Sequence, residues 1–289
     1  MKVQPYLILF TGVVAISFAA IFIRLAAAPP LVIATYRLAL ASVVLVPVAL
    51  AKRTKTPGKP CRRDVILVLC ASTLIALHFG LWITSLADTS IASSVILVTA
   101  HPVFVAPVAY FLWGERLSRR ALAGILLALA GVVLVNLGGL RFSMGEIRGN
   151  LLALAAGFAM GAYLITGRTL RMRIDILSYL ALTYALAAVM LLGITLSAGY
   201  SLCGYTPVTY LMMLLLALVP QLIGHSCLNV AVRLLSPTIV SVAILCEPVG
   251  ATLLGLFLLR QFPTPHEIAG GMLILVGIYL TVVRGQKTG

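Results

Sequence analysis

The sequence predicts an all-α integral membrane protein. Its ten transmembrane helices form two inverted five-helix repeats around a central cavity, with the N- and C-termini cytoplasmic. Three observations predict this. Of 289 residues, 62% are hydrophobic and only 10% charged, with a mean hydropathy of +1.13, so too few charges exist to cover a water-soluble domain. The chain matches itself at an offset of 146 residues: Pro102-Val103 recurs as Pro248-Val249, Phe111-Leu112 as Phe257-Leu258, and Ala123-Gly124 as Ala269-Gly270, while Leu127, Leu129 and Gly131 recur as Leu273, Leu275 and Gly277. Finally, Lys and Arg gather on alternate loops.

About 20 apolar residues cross the roughly 30 Å hydrocarbon layer. On that ruler the spans run at 5–27, 31–51, 64–86, 90–113, 121–139, 147–168, 176–198, 207–229, 236–258 and 266–284. Unbroken apolar runs indicate helices, because barrel strands alternate every second residue. The first span, with Lys2 before it and Ala26-Ala27-Ala28 at its end, imitates a secretory signal. Its apolar stretch is too long for one, and Arg24 sits just before the alanines, so it reads as a retained helix.

With the N-terminus inside, the inner segments carry sixteen Lys and Arg, including the run from Lys52 to Arg63. The outer segments carry four (Arg24, Arg141, Arg148 and Arg260), and Arg37 lies within a span. That asymmetry places both termini in the cytoplasm. The net charge of +14 then reflects topology and contact with membrane lipids, not nucleic acid. Five cysteines lack CxxC spacing and read as packing residues.

The repeats cover 1–139 and 145–289, joined by Gly138-Gly139 to Gly145. An odd number of spans in each reverses the second relative to the first, which makes them inverted. His78 in the third span pairs with His225 in the eighth at an offset of 147, a one-residue deletion before the Pro-Val pair accounting for the change. Gly157 and Gly161 form a GxxxG in the sixth span, and Gly124, Gly131, Gly270 and Gly277 line one face of the fifth and tenth. Close packing within one bundle is the expectation, with a monomer or a weak dimer as the assembly. Pro102, Pro107, Pro220 and Pro248 interrupt spans and free backbone carbonyls, either as plain kinks or as cavity lining.

Glu247 is the one acidic residue well inside a span, so it faces the interior, either to contact a substrate amine or couple protons, or to hold the Glu-Pro break. His101 occupies the equivalent position in the fourth span, where an imidazole titrating near neutrality can bind, couple or bridge two helices. His78, Phe79 and Trp82 share a face of the third span, as His225 and Asn229 do in the eighth. Aromatic walls with hydrogen-bonding groups suit an amphiphilic solute, although Trp82 also fits an interfacial belt. Tyr163 is a further candidate in the sixth span, and Asp88 with Arg24 is a candidate outer ion pair.

HExxH, GxxxxGK[ST] and GxSxG are all missing, so the commonest protease, nucleotide-hydrolase and lipase mechanisms lack their parts. No cofactor or metal is expected. His78, His225 and Glu247 have suitable ligand types but no local ligand pair.

The stretch from Glu247-Pro248-Val249 to Leu258, followed by Ile268-Ala269-Gly270-Gly271 to Gly277-Ile278-Tyr279, resembles the EamA family of the drug/metabolite transporter superfamily. His101-Pro102-Val103 to Gly114-Glu115, Ala123-Gly124 to Gly131, Ala34-Thr35-Tyr36-Arg37 and Ala92-Ser93 carry the same likeness in the first half. The resemblance implies a cavity lined by spans 1, 3, 4, 6, 8 and 9, and transport of amino acids, amines, nucleobases or drugs. It also implies a peripheral second span, so Arg37 is expected to snorkel outward or bond to loop carbonyls, with a role for its planar fork on a substrate carboxylate as the other reading. Two departures stand out: Arg260-Gln261 replaces the second Gly-Glu, and His101 precedes the first Pro-Val pair. The expectation is a secondary active transporter of the inner membrane with no enzymatic activity. It would move a small organic metabolite, an amino acid leading, by alternating access and in the export direction, with protons as candidate coupling ions. A drug or amine exporter, and a passive facilitator or membrane sensor, are the alternatives.

Overall fold

The computed structural model of the chain describes residues 4–52, 61–101, 103, 108, 118–137, 144–171, 174–234, 243–244 and 246–282. Pro102, Pro107, Glu115 and the Gly138-Gly139 junction lie outside them. Every regular element among the described residues is helical: α1 (Gln4–Ser17), α2 (Ala19–Leu25), α3 (Pro30–Ala51), α4 (Arg62–Asp88), α5 (Ile91–Thr99), α6 (Arg119–Leu137), α7 (Met144–Arg171), α8 (Ile176–Ser197), α9 (Pro207–Leu216), a π-helical segment (Ala217–Gly224), α10 (His225–Leu234), α11 (Cys246–Leu259) and α12 (Pro265–Val282). The stretches Gln4–Leu25, Pro30–Ala51, Arg62–Asp88, Met144–Gly167, Ile176–Ser197 and Pro207–Leu228 are each long and apolar enough to cross a membrane.

The helix starts follow local chemistry. Ser90 caps α5 by accepting the Ser93 N–H at 2.9 Å, and Asp175 caps α8 by accepting from Leu177 and Ser178. Pro30 and Pro207 begin their helices, where a missing N–H is harmless. Leu7, Phe10, Val43 and Phe257 point outward, as a lipid-facing surface requires.

With lipid outside, apolar burial hardly favours one helix contact over another, so small residues and polar pairs select the partners. α6 packs against α12, where a Cβ on Gly131 would come within 2.6 Å of the Gly270 carbonyl and one on Gly270 within 2.8 Å of the Gly131 carbonyl. A Cβ on Gly277 would come within 2.5 Å of the Gly124 carbonyl. The 146-residue offset exchanges these two contacts. Gly157 of the GxxxG brings α7 onto the Val98 carbonyl of α5. α3 meets α8, where the Thr35 and Thr195 hydroxyls lie 2.9 Å apart.

Several further contacts obey the same offset. α4 lies on α7, and the counterpart elements α9 to α10 lie on α1 and α2. α5 touches α7, and α11 touches α1 and α2. The cysteines depart from expectation: Cys61, Cys70, Cys203 and Cys246 are exposed, and Cys227 packs at the Gly12 crossing. A thiol is apolar enough to sit against lipid, so burial was not required of it.

Candidate functional site

Eight helices, α1 to α5, α7, α10 and α11, meet at a partly open cavity of about 60 Å³. Its lining includes Arg37, His78, Trp82, His101, His225 and Glu247, with Phe79, Met160 and Thr99 completing the wall. Six of the eight residues singled out in the sequence therefore meet at one place. Both symmetry-related pairs, His78 with His225 and His101 with Glu247, contribute to it. Tyr163 lines an adjoining cavity of about 70 Å³ that shares Phe79, Met160 and His225, and its ring stacks on Tyr179 at 6.1 Å. The side chain of Asn229 is outside the described set.

α4 supplies an aromatic platform because three consecutive positions of its inner face carry rings. His78 stacks on Trp82 at 6.1 Å and meets Phe79 edge-on at 4.7 Å. Its Nδ1 donates to the Ala156 carbonyl at 3.0 Å, which leaves Nε2 of the neutral ring as an acceptor. Trp82 is 4% exposed, so it belongs to the cavity wall and not to an interfacial belt.

Arg37 corrects an expectation. It does not snorkel: it is 1% exposed and points inward, so the second span is no mere periphery. Its guanidinium carbon lies 4.1 Å from the Phe79 ring centre and 5.6 Å from that of Trp82, a cation-over-ring arrangement. Its Nε donates to Gln221 Oε1 at 2.8 Å. Gln221 was not singled out in the sequence, although a glutamine directly after an intramembrane proline was a usable signal. Pro220 has no N–H and cannot close an α-helical turn, and the wider π-turn that results places the His225 N–H on the Pro220 carbonyl. That local widening presents Gln221 and His225 together towards the cavity region.

A polar cluster closes the end of the bundle that the charge pattern assigns to the outside. Asp88 pairs with Arg148 at 3.4 Å, whereas Arg24 donates to the Thr89 carbonyl, so the expected Asp88–Arg24 pair does not form. The reason is geometric: Asp88 ends α4 beside the start of α7, where a Cβ on Gly149 would meet it at 2.9 Å. Thr89 Oγ1 donates to Asn150 at 2.7 Å.

Glu267, also missed in the sequence although Thr264-x-x-Glu267 is a capping-box pattern, accepts from the Thr264 N–H at 2.6 Å and from the hydroxyls of Ser90 and Ser93. Gln261 accepts from the Ile91 N–H at 3.3 Å. Together Gln261 and Glu267 supply side-chain acceptors at this junction.

Comparison with known proteins accords with this geometry. The sequence pattern of the EamA-like transporter family matches twice, over residues 4–137 and 147–283. An "uncharacterized transporter" of Archaeoglobus fulgidus is 28% identical over 279 residues that span 94% of each chain. A protein crystal structure with 20% identity superposes at a TM-score of 0.67 over 100% of both chains, a likeness of fold. Matched along both halves, with apolar helices to match, the chain is a multi-pass membrane transporter that belongs to the EamA-like transporter family.

Proposed function

We propose that the protein is a secondary active transporter of the inner (cytoplasmic) membrane. Ten spans, in two inverted five-helix repeats with both termini cytoplasmic, move a small organic metabolite outward by alternating access. An amino acid is the leading substrate. The supporting observation is the convergence of His78, His101, His225, Glu247 and Arg37 on one cavity of about 60 Å³. Ligand sites for drug-sized solutes span about 300–1,000 Å³. A solute therefore fits only if the two halves move apart, and the exchanged glycine contacts of α6 and α12 suit a two-fold rocking motion. One cation, one carboxylate and aromatic walls suit an amino acid's charges and its side chain.

The test is uptake of a labelled amino-acid panel into proteoliposomes, with and without an imposed pH gradient, comparing the wild type with Glu247→Gln. Saturable, gradient-dependent flux that falls at least tenfold in the variant is expected. That size follows from the loss of a charge-assisted contact, about 1.5–3 kcal/mol. Equal flux in the variant makes Glu247 structural. Flux of amines alone turns the assignment to an amine exporter, and unsaturable flux to a passive facilitator.

A further inference from the structure

We infer that Arg37, with the Trp82 indole N–H beside it, is the anchor for a carboxylate on the transported solute. The inference rests on the amino-acid reading above and adds which protein groups hold which end of the substrate. Arg37 Nη1, Trp82 Nε1 and Gln221 Nε2 are buried and have no hydrogen-bond partner among the described residues. All three are donors. Orphaned buried donors are unfavourable, and a cluster of them is a feature that calls for an explanation. Arg37 and Trp82 both line the cavity, so an occupant bringing acceptor oxygens meets both.

The charge pattern narrows that occupant. Arg37 and Glu247 face the same cavity and are within electrostatic reach of each other, yet no ion pair within 4 Å joins them. A zwitterion matches both charges once the cavity widens: its carboxylate on the Arg37 fork and the Trp82 N–H, its ammonium towards Glu247 and Nε2 of His78. A simple amine would leave the guanidinium uncompensated. Gln221 and Phe79 hold the guanidinium plane in place before any solute arrives, so little ordering remains to be done on binding. The Arg37 position has no cationic counterpart in the second repeat, where the offset leads to Thr183. The anchor therefore belongs to one repeat, and the substrate binds in one polarity within an otherwise two-fold cavity.

The experiment compares, in proteoliposomes carrying the wild type, Arg37→Lys or Arg37→Gln, competition against labelled amino-acid flux by an amino acid, its amide and its decarboxylated amine. L-phenylalanine, L-phenylalaninamide and phenethylamine form one such set, and L-leucine, L-leucinamide and isoamylamine a second. The acid is expected to compete about 10- to 100-fold better than amide or amine, as the loss of a charge-assisted contact implies, with that preference collapsing in Arg37→Gln and shrinking in Arg37→Lys. Equal competition by acid, amide and amine in the wild type overturns the anchor while leaving the transporter reading intact, and it needs no variant to fold. Preference retained in both variants overturns it as well. Without amino-acid flux, the thermal shift of the purified full-length protein with benzoate decides. Stabilisation that Arg37→Gln loses keeps the anchor and removes the amino acid as substrate, whereas no stabilisation removes both.

Discussion

Arg260 shows how one residue carries backbone strain. The chain leaves α11 through Arg260 at φ +53°, a left-handed conformation that glycine adopts freely and a Cβ resists. Arg260→Gly should raise stability by about 1 kcal/mol, the penalty of a side chain in that region, read as a higher melting temperature in detergent. Gln221 carries the opposite risk. Gln221→Leu leaves the buried Arg37 Nε without its acceptor, so stability should fall by about 2 kcal/mol. An unchanged melting temperature would mean that the guanidinium finds another partner.

At the level of helices, two glycines in similar apolar surroundings should respond in opposite directions. On Gly131 a Cβ would press on the Gly270 carbonyl at 2.6 Å and the Ile274 N at 2.9 Å, both backbone atoms that cannot step aside. Gly131→Ala should destabilise the α6–α12 pair by about 2 kcal/mol, as overpacking does. Gly193 in α8 has nothing within 4 Å of its added Cβ, so Gly193→Ala should be neutral or stabilising by up to about 1 kcal/mol through helix propensity. Thermal unfolding of both variants in the same detergent checks the sign. Equal effects would show that the close contact of α6 with α12 does not select their pairing.

For the molecule as a whole, the native thiols report orientation. Cys203, exposed between α8 and α9, should react with a membrane-impermeant maleimide added to spheroplasts. Cys61, exposed at the start of α4, should react only after permeabilisation, because the proposed topology puts the basic run before it in the cytoplasm. The reverse pattern would invert the proposed topology. In the proposed topology the cluster around Asp88, Asn150 and Glu267 lies on the outer side and links the two proposed repeats, so the proposed transition that admits a solute from that side would break hydrogen bonds that a purely apolar contact would lack.

The helix positions were legible in the sequence because a lipid environment demands long apolar runs whatever the partners are, and α3, α4 and α8 begin and end within two residues of the predicted spans. The 146-residue offset likewise marked His101 with Glu247, and the 147-residue offset His78 with His225, as candidates for one central pathway, and the four line one cavity. It could not foretell which neighbours each would find. Arg37 turned inward because Phe79, Trp82 and Gln221 come from α4 and the π-helical segment, and no local pattern in α3 encodes their approach. The choice of Arg148 over Arg24 by Asp88, and of Glu267 as the acceptor for Ser90 and Ser93, were decided in the same way. Hydropathy is a property of each segment, whereas a hydrogen bond or ion pair depends on distances between segments that only the packed bundle sets.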